Sequence, residues 1–362
     1  LPEVEVVGVV ASTPESTATA ARSLGLPQTF DSVDALIDSE DVEVVHNCTP
    51  NHLHLEVNRA ALSAGKHLLS EKPLGMSAAE TEELAGLAQA SDVVTGLCHN
   101  YRHYPLVAQM RSMLASADYG TPHLVHGAYL QDWLLHKDDW NWRLDPAKGG
   151  RARAVADIGS HWLDLVQFVT GADVTSVCAS FGRLHAERQK PASETKTFGA
   201  SSAGGEMVPM GTEDSATVLL AFSNGAAGSM TVSQVSPGRK NALTVEVDTD
   251  VAALAWNQED PNHLWIGRRD AANSDLMRDA SLLDADAAPL AHYPGGHEEG
   301  WADGLKNLMI DFYASVGAHR EGRVRSGSFA TFAEGHRLMR LVEAVVESDR
   351  TRTWIDVEGD SR

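Results

Sequence analysis

The strongest constraint on this chain is the beat of its first hundred residues, where short β-branched runs alternate with helix-forming stretches. Residues 4–10 form the first run, ended by Ala11-Ser12-Thr13. Pro14 then sits where a first helical turn tolerates it, and an Ala-rich helix runs to Leu24 with Gly25 behind it. A short strand at Thr29-Phe30 and a helix near 33–37 follow. Residues 42–48 read as a buried strand, 53–64 as a helix stopped by Gly65, and 67–70 as another strand. Ser77 and Glu80 have capping-box spacing for the next helix, and 93–98 is one more strand. Such βαβα alternation predicts an α/β region, a doubly wound parallel sheet of Rossmann type that binds ligands beyond the carboxyl ends of its strands.

Three polar clusters stand at those ends: Thr49-Pro50-Asn51-His52, Glu71-Lys72-Pro73 and His99-Asn100-Tyr101-Arg102. Any strand end carries polar turn residues, so one cluster says little; three together predict a shared site. Lys72, directly after a buried strand and stiffened by Pro73, is the sharpest member. A dinucleotide fold also opens with a strand and a Gly-x-Gly-x-x-Gly turn that cradles the pyrophosphate. No such turn occurs here, and the chain begins in what reads as the second strand; either the first βα unit lies upstream, the favoured expectation, or the chain lacks its phosphate loop. An acid after that strand would select NAD through the ribose 2′-hydroxyl, whereas Ala11-Ser12-Thr13 offers neither acid nor arginine. The expected cofactor is therefore NAD or NADP. Its candidate contacts are Ser12, Thr13, Thr49, Pro50, Asn51, His52, Glu71, Lys72 and Asn100.

Beyond Tyr104-Pro105 the pattern changes, which predicts one domain over 1–104 and a second over 105–362. A helix to about Ala117 leads into strands at 124–133, 175–181, 216–222, 226–235, 243–247 and 264–267, with Asn224-Gly225 as a hairpin signal. These predict an α+β domain whose large, mostly antiparallel sheet is covered by helices, the last near 301–316 and 329–347. Residues 182–211 read as a long surface loop.

One helix interrupts the strands, over 157–170. Ile158, Trp162, Leu165, Val166 and Val169 form its apolar stripe, and Gly171 its stop. Asp157 and His161, four apart, are expected on one face beside that stripe. A carboxylate beside an imidazole is what proton transfer needs; a dipole-favouring acid and a core histidine would give the same pattern. Gln131, Trp133, Trp142 and Arg143 bring rings, amide and guanidinium together, a mixture suited to the faces and hydroxyls of a sugar and equally to an interface. With Tyr101, Arg102 and His297, which lies in a glycine-rich helix entry, they are the candidate substrate contacts.

A formal charge of −21 argues against nucleic-acid and anionic-membrane partners, which need Lys and Arg. No apolar run reaches membrane-span length, and no Cys or His spacing reads as a metal site. Cys48, Cys98 and Cys178, widely spaced in apolar runs, suit reduced thiols and a cytoplasmic location.

Thr49-Pro50-Asn51-His52-Leu53-His54, Ala64-Gly65-Lys66-His67 leading into Glu71-Lys72-Pro73-Leu74, and Gly149-Gly150 upstream of Asp157-Ile158-Gly159-Ser160-His161 resemble the glucose–fructose oxidoreductase, inositol dehydrogenase and rhizopine-catabolism (Gfo/Idh/MocA) family. The likeness runs from Val4 to the end. It implies an NAD(P)-dependent oxidoreductase exchanging a hydride with a secondary alcohol or ketone of a sugar or cyclitol, and a homodimer or homotetramer. It carries catalytic roles onto Lys72, Asp157 and His161 and implies a cis bond before Pro73. A reductase working in the opposite direction and a non-catalytic nucleotide-binding sensor are the alternatives. Arg151-Ala152-Arg153, where many members continue glycine-rich, is a departure from the pattern.

Overall fold

The computed structural model describes residues 1, 3–192 and 205–357. Its first part runs β1 (Gly8–Val9), α1 (Pro14–Leu24), β2 (Gln28–Thr29), α2 (Val33–Ile37), β3 (Val44–Asn47), α3 (His54–Ser63), β4 (His67–Ser70), α4 (Ala78–Ala90) and β5 (Thr95–Leu97). The Thr13 hydroxyl caps α1 by accepting from the Ser16 amide, and Gly25 ends it at φ 64°. All strand pairs here are parallel, as the alternation requires, but they stand in two pieces, β1–β2 and β3–β4–β5. The strand expected over 4–10 shortens to two residues, because among the described residues only β2 pairs with it. A β-branched run becomes a strand only where a partner backbone takes its hydrogen bonds.

The carboxyl ends of the β3–β4–β5 strands are cross-linked. Asn47 donates to Asn58 (2.7 Å), and Asn58 donates to Ser70 (3.0 Å). The fully buried His54 puts its ring nitrogens 2.6 Å from the Pro73 carbonyl and 2.8 Å from that of Thr49. Two of the polar clusters are thus pinned to one imidazole, and the Lys72–Pro73 bond between them is cis.

The second part holds α5 (Pro105–Ala115), β6 (Pro122–Leu130), α6 (Pro146–Gly149), α7 (Ser160–Thr170), β7 (Val174–Gly182), β8 (Glu187–Pro191), β9 (Gly205–Pro209), β10 (Ser215–Phe222), β11 (Ala227–Ser233), β12 (Ala242–Thr249), β13 (Ala253–Asn257), β14 (Asp260–Gly267), β15 (Ser274–Met277), α8 (Trp301–Arg320), α9 (Phe332–Thr351) and β16 (Ile355–Asp356). Nine strands form one sheet in the order β15-β14-β13-β12-β6-β11-β10-β7-β16, antiparallel except for β6 against β11. Its inner face is read by period two: Val125, Tyr129, Val218, Leu220, Met230, Val232, Val245 and Val247 point into the core under α5, α7 and α9. Trp162 of α7 is fully buried on this face and donates to the Thr244 carbonyl (2.9 Å); Gly127 permits the approach, since a Cβ there would lie 2.1 Å from the same oxygen.

Residues 182–211 are not simply a loop, because β8 and β9 pair antiparallel within them; the stretch 193–204 lies outside the described residues. The division at 104/105 is also crossed. Phe312, Phe329, Ala330 and Phe332 pack on Leu69, Leu74 and Leu97 of the first part, and the Leu97 amide donates to the Ala330 carbonyl (2.8 Å). The closing helices therefore fasten the β3–β4–β5 sheet to the large one, with the strand-end clusters between them.

Candidate active site

Asp157 is where the two parts meet. Lys72 Nζ donates to its Oδ1 (2.7 Å) and to its main-chain carbonyl (2.8 Å), so the lysine after β4 is fixed to the segment before α7. Gln234, just beyond β11, donates from Nε2 to Oδ2 (2.8 Å), and Arg143 Nε lies 3.3 Å from Oδ1. Burial pushes the Asp157 pKa up, but the charges of Lys72 and Arg143 and the hydrogen bonds outweigh it. The carboxyl stays well below its usual range and ionised at any working pH.

The single α-helix expected to carry both Asp157 and His161 is broken at its start. Val155–Gly159 winds as a π-helix, with the Ser160 amide donating to the Val155 carbonyl five residues back. No hydrogen bond joins the two side chains; the Asp157 carboxylate accepts from Lys72 and Gln234 and is ion-paired with Arg143. Four-residue spacing places side chains together only where the turn is α, and here tertiary donors and a wider turn decide.

His161 is held by rings instead. Its centroid is 5.0 Å from that of Tyr101, 5.1 Å from His99 and 6.3 Å from Tyr129, all edge-on. Its Nδ1 is buried without a hydrogen-bond partner. Burial first, then the Lys72 ammonium and His99, push the His161 pKa well below the ordinary imidazole value, against a smaller upward pull from Asp157. At neutral pH the ring is therefore an unprotonated base near an ammonium. Burial likewise pushes His99 down to about 4.

Behind the ring, Tyr101, Tyr129 and Asn241 close a cycle. The Tyr129 hydroxyl donates to Asn241 Oδ1 (2.6 Å), Asn241 Nδ2 donates to the Tyr101 hydroxyl (3.1 Å), and the hydroxyls lie 2.7 Å apart, so Tyr101 donates to Tyr129. Burial raises the pKa of both phenols. Tyr101 is thus occupied in shaping the wall, with its proton engaged. Gln131 Nε2 extends the chain to Asn241 (3.0 Å), and Trp133 Nε1 donates to Gln131 Oε1 (2.9 Å). Trp142 carries the Arg143 guanidinium 4.5 Å over its ring.

On the other side Asn51 donates to the Gly149 carbonyl (3.3 Å), bringing the end of β3 against α6. His52 Nδ1, His99 Nδ1 and Asn100 Nδ2 are buried without hydrogen-bond partners. Glu71 accepts from the Lys72 amide (3.2 Å), Thr49 donates its hydroxyl to Asn47 (2.7 Å), and Pro50 leads into the Asn51–Leu53 turn. Ser12 and Thr13 are exposed after β1, with the Thr13 hydroxyl committed to its cap.

One expected substrate contact, Arg102, is committed elsewhere. Arg102 is buried, its guanidinium forked onto Asp164 (2.8 and 2.5 Å), 2.9 Å from Glu334 and over the Phe168 ring. A guanidinium buried on two carboxylates is committed to packing α7 and α9 together, not to a ligand. Asp164→Ala should accordingly cost about 3–5 kcal/mol by leaving that cation poorly paired, read as a lower midpoint of denaturant unfolding. His297 has an exposed side chain in the loop before α8, where its carbonyl accepts from Arg278. Glycine spacing gave no sign that this loop would close on a buried arginine.

His54 and His99 stand in motifs that the sequence marks but received no role of their own, and Tyr129, Gln234 and Asn241 went unmarked, because strand register and chain reversal deliver them and no local pattern singles them out. Sequence reasoning also passed over His126, Glu246 and Asp248, which meet on the open face of the sheet where His126 Nε2 lies 3.6 Å from Asp248 and 4.0 Å from Glu246.

Comparison with known proteins agrees with this geometry. Residues 1–99 match the model of the GFO/IDH/MocA oxidoreductase family with an NAD-binding Rossmann fold, and 107–253 match the GFO/IDH/MocA C-terminal domain. Levoglucosan dehydrogenase from Pseudarthrobacter phenanthrenivorans is 29% identical over 354 residues, 96% of this chain and 88% of that protein. The crystal structure of an oxidoreductase domain protein from Kribbella flavida superimposes with a TM-score of 0.86 at 30% identity, covering 98% of this chain and 90% of the other. Levoglucosan dehydrogenase in complex with NADH and levoglucosan does so at 0.85 and 26%, covering 97% and 90%.

Proposed function

Because the chain belongs to the Gfo/Idh/MocA oxidoreductase family, whose N-terminal domain is an NAD-binding Rossmann fold, we propose that Lys72, Asp157 and His161 interconvert a secondary alcohol and a ketone of a sugar or cyclitol. The observation that carries this reading is that Lys72 of the first part is bonded to Asp157 of the second, and its ammonium acts on the neutral, buried imidazole of His161, lowering its pKa.

In oxidation His161 takes the hydroxyl proton. Lys72 donates a hydrogen bond to the same oxygen and stabilises the charge that develops on it. Asp157 stays ionised, balances the lysine and fixes where its Nζ points. A bound nicotinamide supplies the hydride acceptor, or in the reverse direction the donor. The unpartnered Asn100 amide and the His52 and His99 ring nitrogens fit such a group, since buried polar atoms left without a partner are uncommon unless a ligand or water meets them. With Ser12, Thr13, Thr49, Pro50, Asn51 and Glu71 they make the cofactor side; Tyr101, Gln131, Trp133, Trp142 and Arg143 make the substrate wall. The absence of an acid among Ala11-Ser12-Thr13 leaves both NAD and NADP as cofactors to test.

Levoglucosan and myo-inositol, each with NAD+ and NADP+, are the probes to follow by nicotinamide absorbance. Reduction of a nicotinamide is expected; no absorbance change with any polyol or keto-sugar, in a protein shown to bind NADH, would leave only a binding function.

The open face of the nine-stranded sheet is proposed to pair with a second copy of the chain. Strand register sets Cys178, Leu219, Ser229, His126, Glu246, Ala255 and Trp265 in one row across it, with Leu219 and Trp265 exposed. Light scattering should report a dimer or tetramer, and Leu219→Lys should shift it towards monomer; a monomeric parent protein would end this part of the reading. The three free cysteines and the lack, among the described residues, of any helix able to cross a membrane support a cytoplasmic location.

A further inference from the structure

Gln234 is fully buried, and both ends of its side-chain amide are hydrogen-bonded. Nε2 donates to Asp157 Oδ2 (2.8 Å), and Oε1 accepts from Arg153 Nη1 (2.9 Å). The two neighbours fix its orientation, since the flipped amide would turn its oxygen to a carboxylate and its N–H to a guanidinium. Its main chain is held too: its amide donates to the Asp214 carbonyl (3.0 Å), and its carbonyl accepts from Leu134 (3.1 Å).

Arg153 does not end the chain. Its Nη2 donates to Asp214 Oδ1, which also accepts from Arg188 (2.9 Å). Glu213 accepts from the Arg153 and Val155 amides (2.8 and 2.9 Å), gripping the backbone where the π-helix begins. Arg188, from β8, donates onward to the carbonyls of Leu134 (2.7 Å) and His136 (2.8 Å), in the segment between Gln131 and Arg143. These charges are almost solvent-free, and among the described residues the only side-chain hydrogen-bond route from them to Asp157 is the Gln234 amide.

We propose that Gln234 is a positioning residue for the reaction: it holds Asp157 Oδ2 so that Oδ1 stays on Lys72, and it couples the catalytic carboxylate to the buried Arg153–Asp214–Arg188 cluster that also sets the substrate wall. This rests on the roles assigned to Lys72, Asp157 and His161 above. Without Gln234, Asp157 keeps Lys72 and Arg143 on Oδ1 but loses the donor that holds Oδ2, so the carboxylate can rotate and Oδ1 is no longer held on Lys72 Nζ.

The test uses the full chain with Gln234→Leu, which removes the donor, and Gln234→Glu, which keeps the shape and adds a negative charge. With levoglucosan or myo-inositol as probe, Gln234→Leu should lower kcat about tenfold to a hundredfold with NADH affinity unchanged, the worth of a hydrogen bond to a charged group. The groups facing this point are Lys72, Arg143, Arg153, Asp157, Glu213 and Asp214, with His99 beside His161. A further anion among them favours imidazolium. Gln234→Glu should therefore raise the His161 titration midpoint, read without substrate by histidine NMR and assigned by loss of the signal in His161→Asn, whereas Gln234→Leu should not raise it. A role in folding alone would lower the melting temperature and leave that midpoint in place.

Folded variants that keep kcat within about twofold of the parent, with the midpoint unmoved, would overturn the proposal. If His161→Ala and Lys72→Met also keep their turnover, the fault lies in the assignment of the site itself. If those two lose turnover and the Gln234 variants do not, the coupling alone is wrong.

Discussion

Replacing His161 with alanine should slow turnover about 10²–10⁴-fold, the usual contribution of one general base, while NADH affinity stays at the parent value. The variant is expected to fold, because the imidazole is held by three ring edges and its Nδ1 has no partner to lose. The parent's pH profile adds a second check. Burial, Lys72 and His99 keep the imidazole neutral to well below its ordinary value, so kcat/KM for alcohol oxidation should hold as pH falls through about 6.5. A free histidine would lose half its base there. Near-full turnover in the variant, measured at saturating cofactor, would remove His161 from the chemistry.

Lys72→Met should cost about 10²–10³ in kcat, comparable to deleting one donor aimed at a developing oxyanion. It should do something His161→Ala cannot. The ammonium is the largest charge pushing the imidazole pKa down, so its loss lets the pKa rise, and the acid limb of the remaining activity should move to higher pH. Asp157 would not be stranded, since Arg143 and Gln234 still face it, so the melting temperature should fall less than for the buried Arg102–Asp164 pair. A rate loss with the acid limb in place would mean that Lys72 acts through packing and not through its charge.

Much of this molecule is legible along the chain. The helix cap at Ser77, the Asn224-Gly225 hairpin and the apolar stripe of α7 lie where their residue types put them, since each depends on neighbours a few positions away. Lys72, Asp157 and His161 could be picked out for a similar reason: a lysine locked before a proline and an acid four residues from an imidazole are local patterns. What those residues touch was a different matter. The four-residue spacing suggested Asp157 against His161, and the structure turned the carboxylate to Lys72, Arg143 and Gln234 instead. Arg102 looked like a ligand contact in a polar cluster and became half of a buried ion pair, because its partner Asp164 lies 62 positions away.

Sequence by itself determined the parallel first region and the large sheet that follows it, and it singled out Lys72, Asp157 and His161, whose proposed chemistry came from the family resemblance. Periodicity and turn chemistry act over a few residues and need no knowledge of what lies across the core. Only the tertiary structure decided that the turn at Asp157 is a π-helix, that Tyr101, Tyr129 and Asn241 bond in a closed cycle, and that Gln234 reaches the carboxylate. Each depends on strand register and on which buried donor finds which acceptor, and in a low-dielectric interior a polar group accepts whatever partner the fold brings within about 3 Å, however far apart the two stand in the chain.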